Sequence, residues 1–446
     1  MSKAEASNND MPLVNKNAAG IDIGSKEHYV AVPADRSDKP VRSFKTFTSD
    51  LYALADWLKE CKIDTVAMES TGVYWIPIFQ ILEEKGFKVF LVNARHVKNV
   101  PGRKSDVSDC QWLQRLHSFG LLSASFQPDA MTRELRTYLR QRDGLVRYTT
   151  AHIQHMQKSL TQMNIQLHNV ISDITGKSGM AIIRAIIRGE RNPDELVKLC
   201  DHGLKNPISV IRKSLEGNYL DEHIFTLTQA VELYDFYQKQ ILECENKITG
   251  LLAKFPDNEI KDKNNNPPSQ KKKNKKDKIN PEIREHLKRA TGIDLTEING
   301  FNTLTVATIV SEVGLNMNKW KTEKHFTSWL GLSPNNSISG GKVLKSGTKK
   351  IKSRASRAFR QAAQTLERSQ SYLGAYYRKM KYRVGPGKAN VATARKLAVL
   401  FYNLVMNGTE FKDFGVEYFE SKFKERNIAN LKRKAMDLGL TLIEIP

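Results

Sequence analysis

The chain has 446 residues and a formal net charge of +22, from 70 Lys and Arg against 48 Asp and Glu. That length allows two or three cores, and the basic surplus argues for a polyanionic partner, because phosphate contacts release counterions. Four widely spaced cysteines and the lack of any long apolar run argue against a disulfide framework, a structural zinc and a membrane span, and fit a cytoplasmic protein.

Residues 1–16 lack the apolar core of a signal peptide and read as a disordered lead-in. From 17 to 130, strand and helix signals alternate. Ala18–Val32 reads as strand, turn and strand, and Val41–Phe47 as a third strand. Leu51–Glu60 is an amphipathic helix with Leu51, Leu54, Ala55 and Leu58 on one face. Strand Thr65–Met68, helix Tyr74–Lys85 and strand Lys88–Val92 complete an α/β domain with a mixed sheet.

Residues 131–255 change period. Leu139, Val146, Ile153, Leu160 and Leu167 recur every seven residues, and Leu135, Met156 and Met163 form a second row that Arg142 and Thr149 interrupt. Leu227, Tyr234, Ile241 and Ile248 repeat the pattern, beside Ile224, Val231 and Leu252. Two long helices are expected, paired within one chain or with another protomer. Ile171–Tyr219 reads as a small helical insertion with turns at Gly176, Gly179 and Gly189. Residues 256–284 are a basic low-complexity linker rich in Asn and Lys, 285–408 a mostly α-helical unit, and 409–446 a charged helical extension. Cys200-Asp201-His202 is a local cluster with only a weak zinc reading.

Four acids of the first domain carry the pattern of a metal-dependent nuclease. Asp22 lies in the apolar Ala-Gly-Ile-Asp22-Ile-Gly, and Glu69 follows the apolar Val-Ala-Met. Asp106 and Asp109 stand three apart in a stretch that becomes helical, a spacing that points both carboxylates one way. An unpaired carboxylate among apolar residues is costly, and Mg²⁺ or Mn²⁺ bound by such oxygens would relieve it. The bland alternative is a helix cap and an ordinary salt bridge.

The second constellation is Ser337-Ile-Ser339-Gly340-Gly341-Lys342. A serine beside paired glycines in a basic stretch can present its hydroxyl to a phosphate, although Ser-Gly-Gly alone usually marks a surface loop. Between Lys342 and Lys396 stand sixteen Lys or Arg and one acid, Glu367. Lys342, Lys345, Lys349, Lys350, Arg354 and Arg357 are candidate phosphate contacts, the last three on one expected helix face. Tyr376, with Arg378 and Lys379, suits stacking and backbone contact. Asp294–Gly314 resembles a helix-hairpin-helix in which Gly300 turns the chain and Asn302, a residue that tolerates left-handed backbone, stands in place of a second glycine; DNA contact and a purely structural hairpin both remain open.

Together these stretches resemble one family, the DEDD transposases of bacterial insertion sequences (the IS-one-ten group). Besides the motifs above, Asn93-Ala-Arg-His-Val-Lys, Lys104-Ser-Asp106-Val-Ser-Asp109 and Ile174-Thr-Gly-Lys-Ser-Gly carry the likeness. The resemblance implies an RNase H/RuvC-like domain, a coiled-coil region and a C-terminal transposase domain. It also implies that Asp22, Glu69, Asp106 and Asp109 bind metal and that Ser339 attacks DNA to give a 5′-phosphoserine. Implied partners are donor and target DNA, a structured guide RNA, and further copies of the chain as a dimer to tetramer, in which the acids of one subunit meet the serine of another. Ser337 stands close enough to Ser339 to leave the nucleophile open between them. Two other readings remain: a RuvC-like nuclease that uses metal and water without a serine, and a non-catalytic nucleic-acid-binding protein.

Overall fold

The computed structural model describes residues 12–93, 106–201, 206–258, 279–409, 411–441 and 443. The chain divides into two compact units, Met1–Gln127 and Pro128–Pro446.

The first unit is built on a five-stranded sheet. Its elements are β1 (Ala18–Ile23), β2 (Glu27–Ala31), β3 (Val41–Lys45), α1 (Thr48–Glu60), β4 (Thr65–Glu69), α2 (Trp75–Glu84), β5 (Lys88–Val92) and α3 (Asp106–Ser118). The strand order is β3-β2-β1-β4-β5; β1, β4 and β5 run parallel, while β2 and β3 pair antiparallel. This is the mixed RuvC-like sheet that the sequence predicts. Period-2 alternation sorts its faces. Ala19, Ile21, Ile23, Val66 and Met68 pack with Leu51, Leu54, Leu58, Ile78 and Leu82 of α1 and α2. Ala67 and Val92 pack instead with Leu113 of α3.

The N-terminal lead-in needs correction where it is described. Val14 and Asn15 donate backbone N–H to the Ser118 carbonyl, and Asn15 Nδ2 donates to the His117 carbonyl at 2.7 Å. They satisfy carbonyls that the end of α3 leaves unpaired. Residues 1–11 lie outside the described residues, as do 94–98 and 104–105 of the quoted motifs, His202 and the linker core 259–278.

The second unit begins with α4 (Ala130–Gln162), α5 (Leu167–Val170), α6 (Lys177–Ile187), α7 (Pro193–Val197), α8 (Ile208–Ser214) and α9 (Asp221–Leu252). Helices α4 and α9 lie antiparallel within one chain, with Arg142 meeting Glu245, His152 stacking on Tyr237 and Ser159 bonding Thr226. The seam differs from the expected one. Leu135, Arg142, Thr149, Met156 and Met163 are all buried, whereas Val146 of the apolar row is partly exposed. Arg142 enters the seam because Glu245 meets it at 2.7 Å with both side chains buried, and Thr149 because its hydroxyl bonds the Leu145 carbonyl. Gly179 is not a turn: it lies inside α6, where a Cβ would strike the Ile174 backbone.

After these come α10 (Pro281–Thr291), α11 (Thr303–Val313), α12 (Glu323–Trp329), β6 (Ser337–Ser339), β7 (Lys342–Lys345), α13 (Arg354–Thr365), α14 (Tyr372–Val384), α15 (Pro386–Asn407) and α16 (Gly415–Asp437). Helix α10 starts inside the stretch assigned to the linker. Asn280 caps it by accepting from Glu282 N, and Pro281 takes the first position, where a missing N–H costs nothing. Phe326, Phe359 and Phe401 centre the core of this part.

Candidate functional site

In the first unit, β1 and β4 bring two of the acids side by side. The parallel register pairs Gly20 with Ala67 and Ile21 with Met68, so one step further Asp22 stands beside Glu69. Ala67 faces Leu113, and a Cβ added at Gly20 would collide with the Cys110 carbonyl and the Gln114 nitrogen of α3. Asp22 and Glu69, two residues beyond Gly20 and Ala67, share that face. Only glycine lets α3 lie this close to β1. Both acids are half-buried, and Thr71 Oγ1 donates to Glu69 Oε1 at 3.3 Å.

Asp109 is half-buried in the first turns of α3. Its neighbour Cys110 is buried, and burial pushes the thiol up to about 12; the negative charge of Asp22 adds to this, as does that of Asp109. Two acids from separate elements thus act on one thiol. Asp106 opens α3, and its side chain lies outside the described residues. Among the described residues, no group of three or more His, Cys, Asp or Glu is gathered closely enough to hold a metal ion.

His117 anchors the far end of α3. The Thr65 hydroxyl donates to the Lys88 carbonyl at 2.9 Å, so it accepts from His117 Nε2 at 2.8 Å, which assigns the neutral tautomer with its proton on Nε2. Burial pulls the His117 pKa down to about 4, helped by Lys88. Nothing in the sequence around His117 marked this role.

In the second unit Ser339 closes a hairpin. Strands β6 and β7 pair antiparallel, Ser339 opposite Lys342 and Ile338 opposite Val343, with an irregularity between Ser337 and Ile338. Gly340 and Gly341 form the two-residue turn with φ of 54° and 75°, the positive values that a type I′ turn requires at both positions. The stretch expected as a loop is therefore an ordered arm. Ser337, Ile338, Ser339, Lys342, Val343 and Leu344 are all exposed, and a Cβ at either turn glycine would meet nothing. The side chain of Lys345 lies outside the described residues. Lys349 is exposed in the coil that follows.

The expected phosphate face changes in detail. Helix α13 begins at Arg354, because the Ser353 side chain caps it by accepting from Ser356 N. Lys350 therefore lies in the preceding coil, outside the helix, and the three-residue face reduces to Arg354 and Arg357. These two line a cavity of about 480 Å³ with Gly300, Asn302, Thr305 and Arg147, which joins α13 to the hairpin before α11. Gly300 has φ 91°, and a Cβ there would lie 2.7 Å from the Ala362 carbonyl of α13. Asn302 is not left-handed: at φ −122° it caps α11, accepting from Thr305 N at 2.8 Å. Arg354 also meets Asp143 at 2.9 Å.

The Tyr and Arg cluster of α14 is partly committed to the fold. Arg378 Nη1 donates to the carbonyls of Ser369 at 2.6 Å and Glu367 at 3.2 Å, so it ties down the turn before α14. Tyr376 carries Lys396 Nζ 4.7 Å above its ring and meets Phe419 of α16 edge-on. Lys379 is exposed, its Nζ 4.2 Å from the Phe423 ring. Helix α16, within the stretch expected as a charged helical extension, brings those aromatic partners.

The chain thus joins a RuvC-like sheet with two adjacent acids to a basic helical unit with an exposed serine arm. A model described as "Transposase", of the DEDD type of the IS110 group, matches residues 19–165, and a second, "Transposase IS116/IS110/IS902 family", matches residues 294–378. The chain belongs to this transposase family, and it is a DNA transposase or recombinase with DNA as its partner. No curated protein matches it. No helix among the described residues is long and apolar enough to cross a membrane.

Proposed function

We propose that the protein is an RNA-guided DNA recombinase of an insertion sequence, which cuts and rejoins strands through a covalent phosphoserine at Ser339. The observation that carries this reading is the exposed serine arm, held by a Gly-Gly turn and flanked by Lys342. Its hydroxyl is exposed, and a serine hydroxyl needs a base or a metal to become a nucleophile. The paired acids of the first unit are the natural complement.

Asp22, Glu69 and Asp109, with Asp106, would hold Mg²⁺ or Mn²⁺; hard carboxylate oxygens suit these ions, which when bound neutralise charge on a phosphodiester and lower the pKa of a hydroxyl. In the cleavage step, Ser339 Oγ loses its proton to solvent and bonds to phosphorus. The P–O3′ bond breaks, the leaving oxygen takes up a proton, and the 5′-phosphate remains esterified to Ser339. In rejoining, a 3′-hydroxyl from another strand attacks that ester and Ser339 recovers a proton. One ester replaces another, so ATP is not needed. Lys342 and Lys349, with Arg354 and Arg357, supply positive charge for the strands. A structured RNA of the same element would choose donor and target. In a dimer or tetramer, the acids of one subunit would meet the serine of another; the family resemblance supports both expectations.

The test is strand cleavage of duplex DNA spanning the element's ends, with its transcript and Mg²⁺. Ser339→Ala is expected to abolish cleavage and Ser337→Ala to retain it. Full metal-dependent cleavage by Ser339→Ala would instead mean a water-using nuclease.

A further inference from the structure

At the root of the serine arm lies an open cleft of about 1160 Å³, bounded by the base of the hairpin, α14, α15 and α16. Pro334, Asn336, Gly347 and Thr348 form its hairpin side, where Pro334 bridges Thr348 beyond the ends of β6 and β7. An aromatic wall faces them: Phe414 stacks on Tyr418 at 4.9 Å, and Tyr418 lies 6.3 Å from Tyr372. Val391 and Leu400 of α15 make the floor apolar.

The charge on this lining is one-sided. Lys388, Arg395, Lys396 and Lys412 line the cleft, and Asp413 is the one acid among the lining residues. Asp413 is already engaged: Oδ1 accepts from the backbone nitrogens of Tyr372 and Gly415, and Oδ2 from Asn299 Nδ2 at 2.8 Å. Protein crowding around the Lys396 ammonium pulls its pKa down, and the charges of Arg426 and Arg395 pull the same way.

A surface that joins an aromatic wall to an excess of cations, Lys388, Arg395, Lys396 and Lys412 against Asp413, fits a ligand with a flat apolar face and an attached anion. An apolar peptide helix would cover the wall and leave the cations uncompensated. An intact duplex would meet the cations and leave the wall bare, because its bases are stacked inside. We propose that this cleft holds an unpaired nucleotide of the strand being processed, its base against Tyr372 and Tyr418 and its phosphate on Arg395 and Lys396. The inference rests on the reading of the Ser339 arm as the strand-cutting element, because the residues at the root of that arm, Pro334, Asn336, Gly347 and Thr348, form one side of the cleft. Base stacking on aromatic side chains tolerates any sequence, so the site would hold the strand without reading it.

The experiment uses the full chain and a single-stranded DNA of about ten nucleotides, the order of one single-strand site, carrying 5-iodouracil. Irradiation without divalent metal is followed by peptide mapping. Adducts are expected on the peptides that contain Tyr372, Tyr376 or Tyr418. Filling the cleft with Ala392→Trp, or removing charge with Arg395→Ala and Lys396→Ala together, is expected to cut their yield about tenfold, roughly the loss of one stacked base. Adducts confined to other peptides, or a yield unchanged in both variants, would overturn the proposal. So would intact adducts with a changed oligomeric mass in Ala392→Trp, which would assign the cleft to a second copy of the chain. The readout is a photochemical adduct and needs no strand cleavage, so failure here is separate from failure of the Ser339 reading.

Discussion

The acid-bearing face of the first unit and the serine arm of the second solve opposite problems. Asp22 and Glu69 stand on neighbouring central strands, and α3 is pressed onto them so closely that Gly20 has no room for a Cβ. Ser339 sits on a two-stranded arm whose turn glycines, among the described residues, have open space where a Cβ would stand. Groups that must share one ion need fixed separations, which packing supplies. A nucleophile that has to reach a phosphate on a large substrate needs access instead. The two regions teach that rigidity belongs to the acid-bearing face and exposure to the serine arm, the division of labour that the proposed chemistry asks for.

Several substitutions put that contrast under strain. The largest effect is expected at the buried ion pair of the α4–α9 seam. Arg142→Met leaves the buried Glu245 carboxylate, among the described residues, with only the Asn280 N–H as a partner and is expected to cost about 3–5 kcal/mol, whereas Arg142→Met with Glu245→Leu together is expected to cost less, about 1–3 kcal/mol, for the Asn280 N–H that loses its acceptor. Urea unfolding of single and double variants measures this; equal losses in both would mean that the pair itself stabilises the seam. Next comes Gly20→Val, which drives a side chain into the α3 backbone and is expected to destabilise the first unit by about 3 kcal/mol. A mild effect on its unfolding would show that α3 is free to move off the sheet.

The pH dependence of the first unit is expected to follow His117. Its pKa is about 4 in the fold against an ordinary 6.5, so above pH 6.5 neither folded nor unfolded chain is protonated there and this contribution is constant. As the pH falls from 6.5 towards 4, the unfolded chain takes up a proton that the folded one refuses, and stability drops by on the order of 3 kcal/mol. His117→Gln is expected to remove that part of the drop when the two proteins are unfolded at pH 7.5 and 4.5. Parallel losses would clear His117 of the role. The smallest effect is expected at the arm. Gly340→Ala costs roughly 1 kcal/mol of turn stability, since left-handed backbone disfavours a Cβ. It should slow strand cleavage, and Gly340→Asn should largely preserve it, because Asn tolerates that conformation.

Local chemistry made the first unit legible. Alternation and apolar runs marked every strand of the sheet, and the Leu51, Leu54, Ala55 and Leu58 face of α1 is buried as its spacing predicts. Long-range partners hid the rest. The heptad row through Arg142 and Thr149 looked broken because its compensation, Glu245, lies about a hundred residues away in the sequence. Lys350 fell outside α13 because Ser353 is the cap, a local signal that charge spacing obscured. The type I′ arm was also readable, since Gly-Gly stands between Ser-Ile-Ser and Lys-Val-Leu-Lys, two short alternating runs. Tyr376 and Arg378 could not be judged without α16 and the Glu367–Ser369 carbonyls that occupy them.

The most direct test of the proposed chemistry is to ask which residue ends up bonded to DNA, and what that bond depends on. Protein incubated with its RNA, end-containing DNA and Mg²⁺ is digested, and the nucleotide-bearing peptide is identified by mass. The expected result is a nucleotide ester on Ser339 in the wild type and none in Asp22→Ala, although that variant keeps Ser339 intact. An equal yield of the Ser339 ester in Asp22→Ala, or cut DNA with no ester on any serine, would contradict the account.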